Sequence, residues 1–455
     1  MHRISTKFAL WPIAAAALFL SACNGGGAPT VPPGMQNAQR TIHAVARHSS
    51  SGKIQHIVII VQENRSFNNL FYGFVGAHTA KYGYDTHGNQ IALQPIGLET
   101  TWDITHDLND FLAACNGTGS YPGTNCQMNG FDNEHWGCYS NCPNQNPPYS
   151  YVPHSETKPY FFMGKHYVLA DEMYASNLDA SSFISHQYII AGQASSAVNY
   201  PSYGWGCEYG SGNSISTITQ ERQYGNNIPM CWSNDTIGEE MDNAKLSWAY
   251  YASAVEGDGG IWSAYQNISP IYYGNDWKND VISPQTNFFN DVSSGKLRAL
   301  SWITPTCKNS DHAGCGGNTG PSWVASLVNA IGQSKYWDST AIFIFWDDYG
   351  GWYDPKPPAM VDYDGLGIRI PMLIVSPYAK KGYIDHKHYE HGSILKFVED
   401  TFGLPRLAAS DTRANSPDNA FDFNKAPRAF EVVPSVHDVK FFMRQAPDHR
   451  PPDNG

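Results

Sequence analysis

Short apolar runs alternate with amphipathic stretches along this chain. The apolar runs are rich in β-branched and aromatic residues and lack a polar alternation, which predicts strands buried in a sheet that is covered on both faces. These runs are residues 54–61, 299–303, 341–345 and 372–375.

Two amphipathic stretches predict helices between these strands. Residues 322–337 and 393–402 carry apolar side chains at helical spacing. Helices that alternate with buried strands are typical of an α/β fold. The Asn-, Gly-, Pro- and Cys-rich residues 109–155 are interpreted as a disulfide-tied insertion, and residues 195–295 are too aromatic and irregular to assign elements.

The first residues have the pattern of an export signal. Arg3 and Lys7 precede an apolar stretch, and Ser21 and Ala22 stand directly before Cys23, as in a bacterial lipobox. We expect residues 1–22 to be a lipoprotein signal peptide and Cys23 to anchor the chain to a membrane. Residues 23–52 then form a flexible tether and residues 53–455 a catalytic domain. The alternative is an ordinary signal peptide in which Cys23 occurs by chance.

Charge and cysteine content limit the classes of partner and the cellular compartment that we expect. The 29 Lys and Arg against 41 Asp and Glu give a formal net charge of -12, so a nucleic-acid partner is not expected. Besides Cys23, eight of the nine cysteines remain, and an even number in an exported chain favours disulfides. Local pairs such as Cys207 with Cys231 and Cys307 with Cys315 fit, although the pattern stays open. Zinc binding by Cys138 and Cys142 is the rival interpretation.

Acidic residues follow two of the predicted strands directly. Glu63 and Asn64 come after the first strand, and Asp347 and Asp348 come after residues 341–345. Ligands of open α/β sheets collect outside the carboxyl ends of the strands, and clustered carboxylates are stabilised by a bound divalent cation. The alternative is that the aspartates cap a turn while Glu63 pairs with Arg65.

The sequence around these residues resembles the motifs of a known family. The run Glu63-Asn-Arg-Ser-Phe67 and four later segments follow the motif order of the phosphoesterase family that contains bacterial phospholipases C and a group of acid phosphatases. The later segments are residues 301–305, 346–354, 369–377 and 389–397. The resemblance spans about residues 53–423. It implies an alkaline-phosphatase-like three-layer α/β sandwich with a mostly parallel central sheet and irregular insertions, and hydrolysis of phosphate esters at a metal.

The resemblance also implies a nucleophile. The family's nucleophile segment matches residues 180–188, where His186 and Tyr188 align with its basic residue and tyrosine and Ser182 falls at the nucleophile. Both prolines of the pattern are replaced, so Ser181 remains an alternative. A serine at a helix start lies near unpaired N–H groups that favour a phosphate, although it is also a common helix cap.

The remaining site residues follow from the same comparison. The implied ligands of a divalent cation, with Zn, Ca, Mg and Mn all open, are Glu63, Asn64, Asp347, Asp348 and Ser182. Histidines at motif positions are candidates to stabilise phosphate oxygens and protonate the leaving group: His106, His312 and His391. His391 could equally stabilise a helix start, and His186 either faces the site or packs beside the serine.

These expectations predict an exported, metal-dependent phosphoesterase that works through a phosphoseryl intermediate, with phospholipase C as the first hypothesis. Its substrate would be a phosphate ester or a phospholipid. Alternatives are an acid phosphatase acting on phosphomonoesters and a non-catalytic surface-binding lipoprotein. The sequence leaves the oligomeric state open.

Overall fold

A computed structural model of the chain describes residues 52–138, 142 and 146–448. The predicted signal peptide, Cys23 and almost all of the predicted tether lie outside the described residues. Within those residues, no helix is both long enough and apolar enough to cross a membrane.

A mostly parallel sheet of nine strands forms the centre of the described part. In chain order its strands are β1 His56–Gln62, β2 Val168–Tyr174, β3 Trp248–Tyr251, β4 Val281–Ile282, β5 Leu300–Ile303, β6 Thr340–Trp346, β7 Arg369–Val375, β8 Tyr383–Asp385 and β9 Tyr389–Glu390. The spatial order is β4-β3-β5-β1-β6-β7-β2-β8, with β9 also paired to β2. Only β7 runs antiparallel to its neighbours among these strands.

Helices and short strands surround this sheet. The α-helices are α1 Phe67–Phe71, α2 Leu108–Cys115, α3 Lys158–His166, α4 Ser182–Ala191, α5 Ile237–Asn243, α6 Ser269–Tyr272, α7 Asp276–Asn279, α8 Asn287–Ser293, α9 Gly320–Gly332, α10 His391–Phe402, α11 Ala409–Arg413 and α12 Val439–Phe442. Short 3-10 helices are Phe131–Asn133, Cys207–Gly212, Asp258–Gly260, Ala264–Asn267, Cys307–Asn309, Trp337–Ser339 and Pro417–Ala420. The minor strands are Tyr82–Tyr84, Gln90–Ala92, Gln94–Pro95, Asp103–Ile104, Trp136–Gly137, Ser150–Tyr151, Ala197–Val198, Ser214–Thr217 and Ile228–Pro229.

Contacts of β6 show that helices cover both faces of the sheet. Phe343 packs against Phe397 of α10, with ring centroids 5.1 Å apart. Trp346 packs against Tyr160 of α3, with ring centroids 5.0 Å apart. Side chains three positions apart on a strand point to opposite faces, so α3 and α10 lie on opposite sides. The predicted three-layer α/β sandwich with a mostly parallel sheet is confirmed.

The four strands predicted from apolar runs are present as β1, β5, β6 and β7. The pattern missed β2, which carries two acidic residues, and β3, whose Trp and Tyr side chains are all buried. Helix α9 ends at Gly332, before the predicted end at residue 337; a turn follows it, and a separate 3-10 helix spans Trp337–Ser339.

Disulfides pair all eight cysteines of the body. The bonds are Cys115–Cys126, Cys138–Cys142, Cys207–Cys231 and Cys307–Cys315. The two local pairs named from the sequence are confirmed, and two bonds lie in the predicted insertion. Because Cys138 and Cys142 are bonded to each other, the zinc interpretation of this pair is wrong.

Candidate metal centre and active site

Strands β1 and β6 place two acidic segments side by side. The two strands are paired in register up to Gln62 and Trp346, so the next residues leave the sheet together. The Asp347 N–H donates to the Gln62 carbonyl at 3.0 Å, and the Asn64 N–H donates to Asp347 Oδ1 at 3.0 Å. The segments separated by about 280 residues in the sequence therefore meet at the carboxyl edge of the sheet, as expected.

A tight turn fixes the position of Asn64. Its φ of 57° lies in the left-handed region, which Asn tolerates better than most residues. Gly350 packs so closely that a Cβ built on it would lie 2.2 Å from the Asn64 carbonyl oxygen. The Gly350 N–H also donates to Asp348 Oδ1 at 2.8 Å, so Asp348 does cap this turn, as the alternative interpretation held. Only Oδ1 of Asp348 takes part in that contact, which leaves its Oδ2 for the site.

Helix α4 begins at the same edge and brings Ser182 into this group. The helix follows β2, which runs parallel to β6 because both are antiparallel to β7. Ser182 Oγ accepts a hydrogen bond from Asn64 Nδ2 at 3.0 Å and donates one to Asp348 Oδ2 at 3.4 Å. All three side chains are buried. The structure thus brings the serine, the amide and one aspartate into direct contact.

The neighbouring Ser181 has a different environment. It is the N-cap residue of α4 but makes no capping hydrogen bond with its side chain. Its Oγ instead donates to Asp179 Oδ1 at 2.6 Å. Burial raises the pKa of Asp179 to about 6, and hydrogen bonds from Ser181 and Asn199 oppose that rise. The Ser181 hydroxyl is therefore held by Asp179, whereas the Ser182 hydroxyl contacts Asn64 and Asp348.

Glu63 and Asp347 meet at His186, one helical turn after Ser182. His186 Nε2 lies 3.3 Å from Glu63 Oε1 and 4.0 Å from Asp347 Oδ2. One potential ligand atom from each of these three buried residues lies within 4.8 Å of the others. The sequence left the direction of His186 open. Its spacing of four residues from Ser182 was the available signal, because such residues share one face of a helix.

The contacts of His186 bear on which of its ring nitrogens carries the proton. Tyr250 donates its hydroxyl proton to the Trp262 carbonyl at 2.7 Å, so it accepts from His186 Nδ1 at 3.4 Å. Burial lowers the pKa of His186 to about 4, although Asp347 opposes this. His186 Nε2 also lies 3.4 Å from Glu63 Oε2. With the proton on Nδ1, the neutral ring presents the lone pair of Nε2 to the two carboxylates, which is the orientation of a metal ligand.

His106 contacts Asn64, and His312 lies beside His106. His106 Nδ1 donates to the Ile104 carbonyl at 2.6 Å, which leaves Nε2 to accept from Asn64 Nδ2 at 2.7 Å. The His312 ring lies 6.0 Å from the His106 ring, and its Nδ1 hydrogen-bonds to the Ala313 carbonyl. Asp103 Oδ2 lies 3.8 Å from that same nitrogen. Residues 103–106 thus supply both His106, which contacts Asn64, and Asp103, which lies near His312.

His391 lies behind the site. Its Nε2 is 3.4 Å from the Trp346 carbonyl, and its Nδ1 accepts from the Ser176 N–H at 3.5 Å. It is the first residue of α10, and burial lowers its pKa to about 4. These contacts are with the main chain at the ends of β6 and β2. They place His391 at the strand ends that carry the site, where it also interacts electrostatically with Asp347 and His186.

Arg65 has partners other than Glu63. Its side chain is buried and donates to the Asp311 carbonyl at 2.7 Å, to Asn69 Oδ1 at 3.2 Å and to the Leu98 carbonyl at 3.4 Å. These contacts direct the guanidinium toward the loop that carries His312. The interpretation in which Arg65 neutralises Glu63 has no support in this geometry.

The family model for the Phosphoesterase family matches residues 54–405, which is most of the chain. The chain belongs to the Phosphoesterase family. Among its relatives in that family, the non-hemolytic phospholipase C of Burkholderia pseudomallei is 24% identical over 450 residues, covering 82% of this chain and 58% of the relative. The non-hemolytic phospholipase C of Pseudomonas aeruginosa is 23% identical over 453 residues, covering 90% and 62%. The chain thus spans about three fifths of the length of these relatives.

Solved structures also match this chain. A protein of the alkaline phosphatase superfamily from Vibrio parahaemolyticus has a TM-score of 0.38 at 11% identity, covering 84% of this chain and 80% of that one. The lipoteichoic acid synthase LtaP from Listeria monocytogenes has a TM-score of 0.41 at 8% identity, covering 80% and 77%. At these scores the likeness carries no weight, and the fold class stands on the sheet topology.

The residues of this candidate site fit a divalent cation. Asp347 Oδ2 and Asn64 Oδ1 are buried and have no hydrogen-bond partner in the described part of the chain. The Nε2 lone pair of His186 faces the same carboxylates. Carboxylate, amide and imidazole donors together suit hard and borderline divalent ions. A cation would satisfy atoms that the protein itself leaves without a partner.

Proposed function

We propose that this chain is a metal-dependent phosphoesterase of the phospholipase C type, in which Ser182 attacks the phosphorus atom. The observation that carries this proposal is the contact of Ser182 Oγ with Asn64 and Asp348 at the edge where Glu63, His186 and Asp347 converge. A phosphoseryl intermediate forms and the alcohol leaves, and water then hydrolyses the intermediate.

The cation would be held by a set of residues from β1, β6 and α4. The predicted ligands are Glu63, Asn64, Asp347, Asp348 and Ser182, and His186 joins them on the geometry of its Nε2. When bound, a divalent ion lowers the pKa of a coordinated hydroxyl and screens negative charge. Zn, Ca, Mg and Mn all remain candidates for this ion.

The serine is oriented by its neighbours. Asn64 Nδ2 holds Ser182 Oγ, and Asp348 Oδ2 at 3.4 Å accepts the hydroxyl proton as the bond to phosphorus forms. Ser182 is also the first residue of a ten-residue helix, whose unpaired N–H groups and positive dipole end attract the phosphate oxygens. The same helix thus supplies the nucleophile and part of the phosphate site.

The histidines divide into three roles. His106 accepts from Asn64 and is a positioning residue, since its other nitrogen is bound to Ile104. His312, with Asp103 3.8 Å from its Nδ1, is the donor that protonates the leaving oxygen. His391 supports the strand end beneath Asp347 through its bonds to the main chain.

Export and anchoring belong to the same proposal. Four disulfides favour an oxidising compartment outside the cytosol. Lipid attachment at Cys23 would hold the enzyme at a membrane, in the periplasm or at the cell surface, close to phospholipid substrate. Mass spectrometry of the mature N-terminus tests this part independently of the chemistry.

A paired assay tests the activity. Purified protein is supplied with each of the four candidate ions and given p-nitrophenylphosphorylcholine and p-nitrophenyl phosphate, with Ser182→Ala as the matched control. Phospholipase C predicts a higher kcat/KM on the choline diester. Hydrolysis of the monoester alone indicates an acid phosphatase. No Ser182-dependent hydrolysis of either ester would leave the non-catalytic surface lipoprotein as the better account.

A further inference from the structure

A second group of histidine and carboxylate side chains lies on the surface, apart from the residues of the candidate active site. It consists of His78, Asp171 and His386, here called the His78 cluster. One potential ligand atom from each lies within 4.8 Å of the others. His386 Nδ1 is 2.8 Å from Asp171 Oδ1, and His78 Nδ1 is 3.4 Å from Asp171 Oδ2. The two imidazole rings are 4.6 Å apart between centroids.

The central sheet builds this cluster. Asp171 is on β2, and His386 is in the connection between β8 and β9, which both pair with β2. His78 follows α1, and its N–H donates to Asp171 Oδ2 at 2.8 Å. The buried aspartate therefore sits where three separate stretches of chain converge.

An irregularity in β2 explains how two acidic side chains reach one place. The pairing of β2 with β7 shifts between Ile370 and Met372, so Asp171 and Glu172 together oppose Pro371. Proline has no N–H to donate to the ladder, which makes a bulge favourable at that point. Glu172 Oε1 then also reaches His78 Nδ1 at 3.0 Å.

The donor set suits a borderline divalent metal. Zn²⁺ takes imidazole and carboxylate ligands at about 2.0–2.2 Å, which at tetrahedral angles separates ligand atoms by about 3.3 Å. The aspartate oxygens already lie 2.8 Å and 3.4 Å from the two imidazole nitrogens, close to this spacing. Movement of the two imidazoles would set the remaining separation, which is at most 4.8 Å. Asp171 is fully buried and fixed, whereas His78 and His386 have side chains that are 49% exposed and are free to adjust. Glu172 is already paired with Lys356 Nζ at 2.8 Å, so the protein ligands number three.

We propose that His78, Asp171 and His386 bind a divalent transition metal ion of the Zn²⁺ class, with water completing the coordination. The ion joins the chain after α1, strand β2 and the connection between β8 and β9. Its effect is to stabilise this edge of the sheet. This site is separate from the proposed catalytic centre and does not rest on the proposed activity.

Metal content of the whole mature chain tests the inference. Protein stripped with a chelator is dialysed against excess Zn²⁺ and then buffer, and bound zinc is counted by mass spectrometry. The wild type is expected to retain one more zinc ion per chain than the double variant His78→Ala/His386→Ala. His135→Ala is the control, because His135 is exposed and lies 3.5 Å from Asp110, and among the described residues this pair does not belong to a group of three potential ligands. It is expected to retain as much zinc as the wild type.

Two further measurements separate this site from the catalytic one. The difference in zinc content between the chain with and without the double variant is expected to be the same in the wild type and in Glu63→Gln, because Glu63 belongs to the other group. Zn²⁺ is expected to raise the Tm of Glu63→Gln but not of Glu63→Gln combined with the double variant. Equal zinc content in the wild type and the double variant, or an equal Tm rise in both Glu63 variants, would overturn the proposal.

Discussion

The sheet-edge site and the His78 cluster offer a cation the same kinds of donor atom but bury them differently. Glu63, His186 and Asp347 have no exposed side-chain surface. His78 and His386 are half exposed around a buried Asp171. The ligand chemistry of the two groups is therefore similar, and the difference in burial decides how much each group gains from a bound cation.

Burial makes a compensating cation more favourable at the sheet-edge site than at the His78 cluster. At the sheet edge, burial keeps His186 neutral near pH 7, so its ring does not balance the carboxylates beside it. Desolvated like charges in close contact are costly unless an ion compensates them. In the His78 cluster, Asp171 accepts from the His78 main chain and from His386, and Lys356 pairs with the neighbouring Glu172. The aspartate of that cluster therefore has hydrogen-bond partners within the protein.

The largest expected effect separates two adjacent serines. Ser182→Ala should lower kcat/KM for a p-nitrophenyl phosphoester by about 10⁴-fold, because it removes the nucleophile. Ser181→Ala is the matched control and should cost less than about tenfold, since its hydroxyl is bound to Asp179. Steady-state kinetics measures both. The reverse order would assign the nucleophile to Ser181.

Matched carboxamide substitutions compare the two clusters directly. Asp347→Asn should lower kcat/KM by about 10³-fold with metal in excess, because it removes a charged ligand at the reacting centre. Asp171→Asn should change it less than about twofold, since Asp171 serves the other cluster. Circular dichroism checks that both variants are folded. Equal losses in the two variants would remove the functional distinction between the groups.

The turn beside Asn64 gives an intermediate effect. Gly350→Ala would place a Cβ 2.2 Å from the Asn64 carbonyl oxygen in a backbone with φ of +61°. Displacement of Asn64 by about 1 Å is expected to lower kcat by about 10²-fold. Gly137→Ala is the control, because nothing lies within 4 Å of its added Cβ. If Gly350→Ala keeps wild-type kcat, the position of Asn64 is not critical.

The smallest expected effects are on stability. Asp347→Asn and Asp171→Asn should change the free energy of unfolding in opposite directions. In protein stripped of metal, Asp347→Asn should raise the free energy of unfolding by about 1 kcal/mol, because it removes a buried like charge. Asp171→Asn should lower it by about 1 kcal/mol, because Asp171 accepts hydrogen bonds from His78 and His386. Urea unfolding with chelator present measures both. Destabilisation by Asp347→Asn would show that its charge is already compensated.

The two groups also differ in how far their residues could be predicted from the sequence. Apolar runs located β1 and β6, and the rule for strand ends pointed to the polar residues directly after them, which are Glu63, Asn64, Asp347 and Asp348. Motif alignment was needed for Ser182, since many serines begin helices. The fold class followed from the same alternation of strands and helices.

Other parts required the folded chain. Strand β2 carries Asp171 and Glu172 at a bulge, so its pattern is not that of a buried strand. The direction of His186 depends on Tyr250 from β3, a strand hidden in an aromatic region. The His78 cluster joins residues about 300 positions apart whose neighbours form no motif. Long-range pairing of this kind is not encoded in local periodicity.

The most direct test of the central claim is an anomalous diffraction map of the crystallised enzyme, recorded at the absorption edge of the ion found in the active protein. We predict a peak surrounded by Glu63, Asn64, Ser182, Asp347 and Asp348, with bonds of about 2.0–2.6 Å depending on the ion. A fully active enzyme whose map shows no ion among these residues would contradict the account.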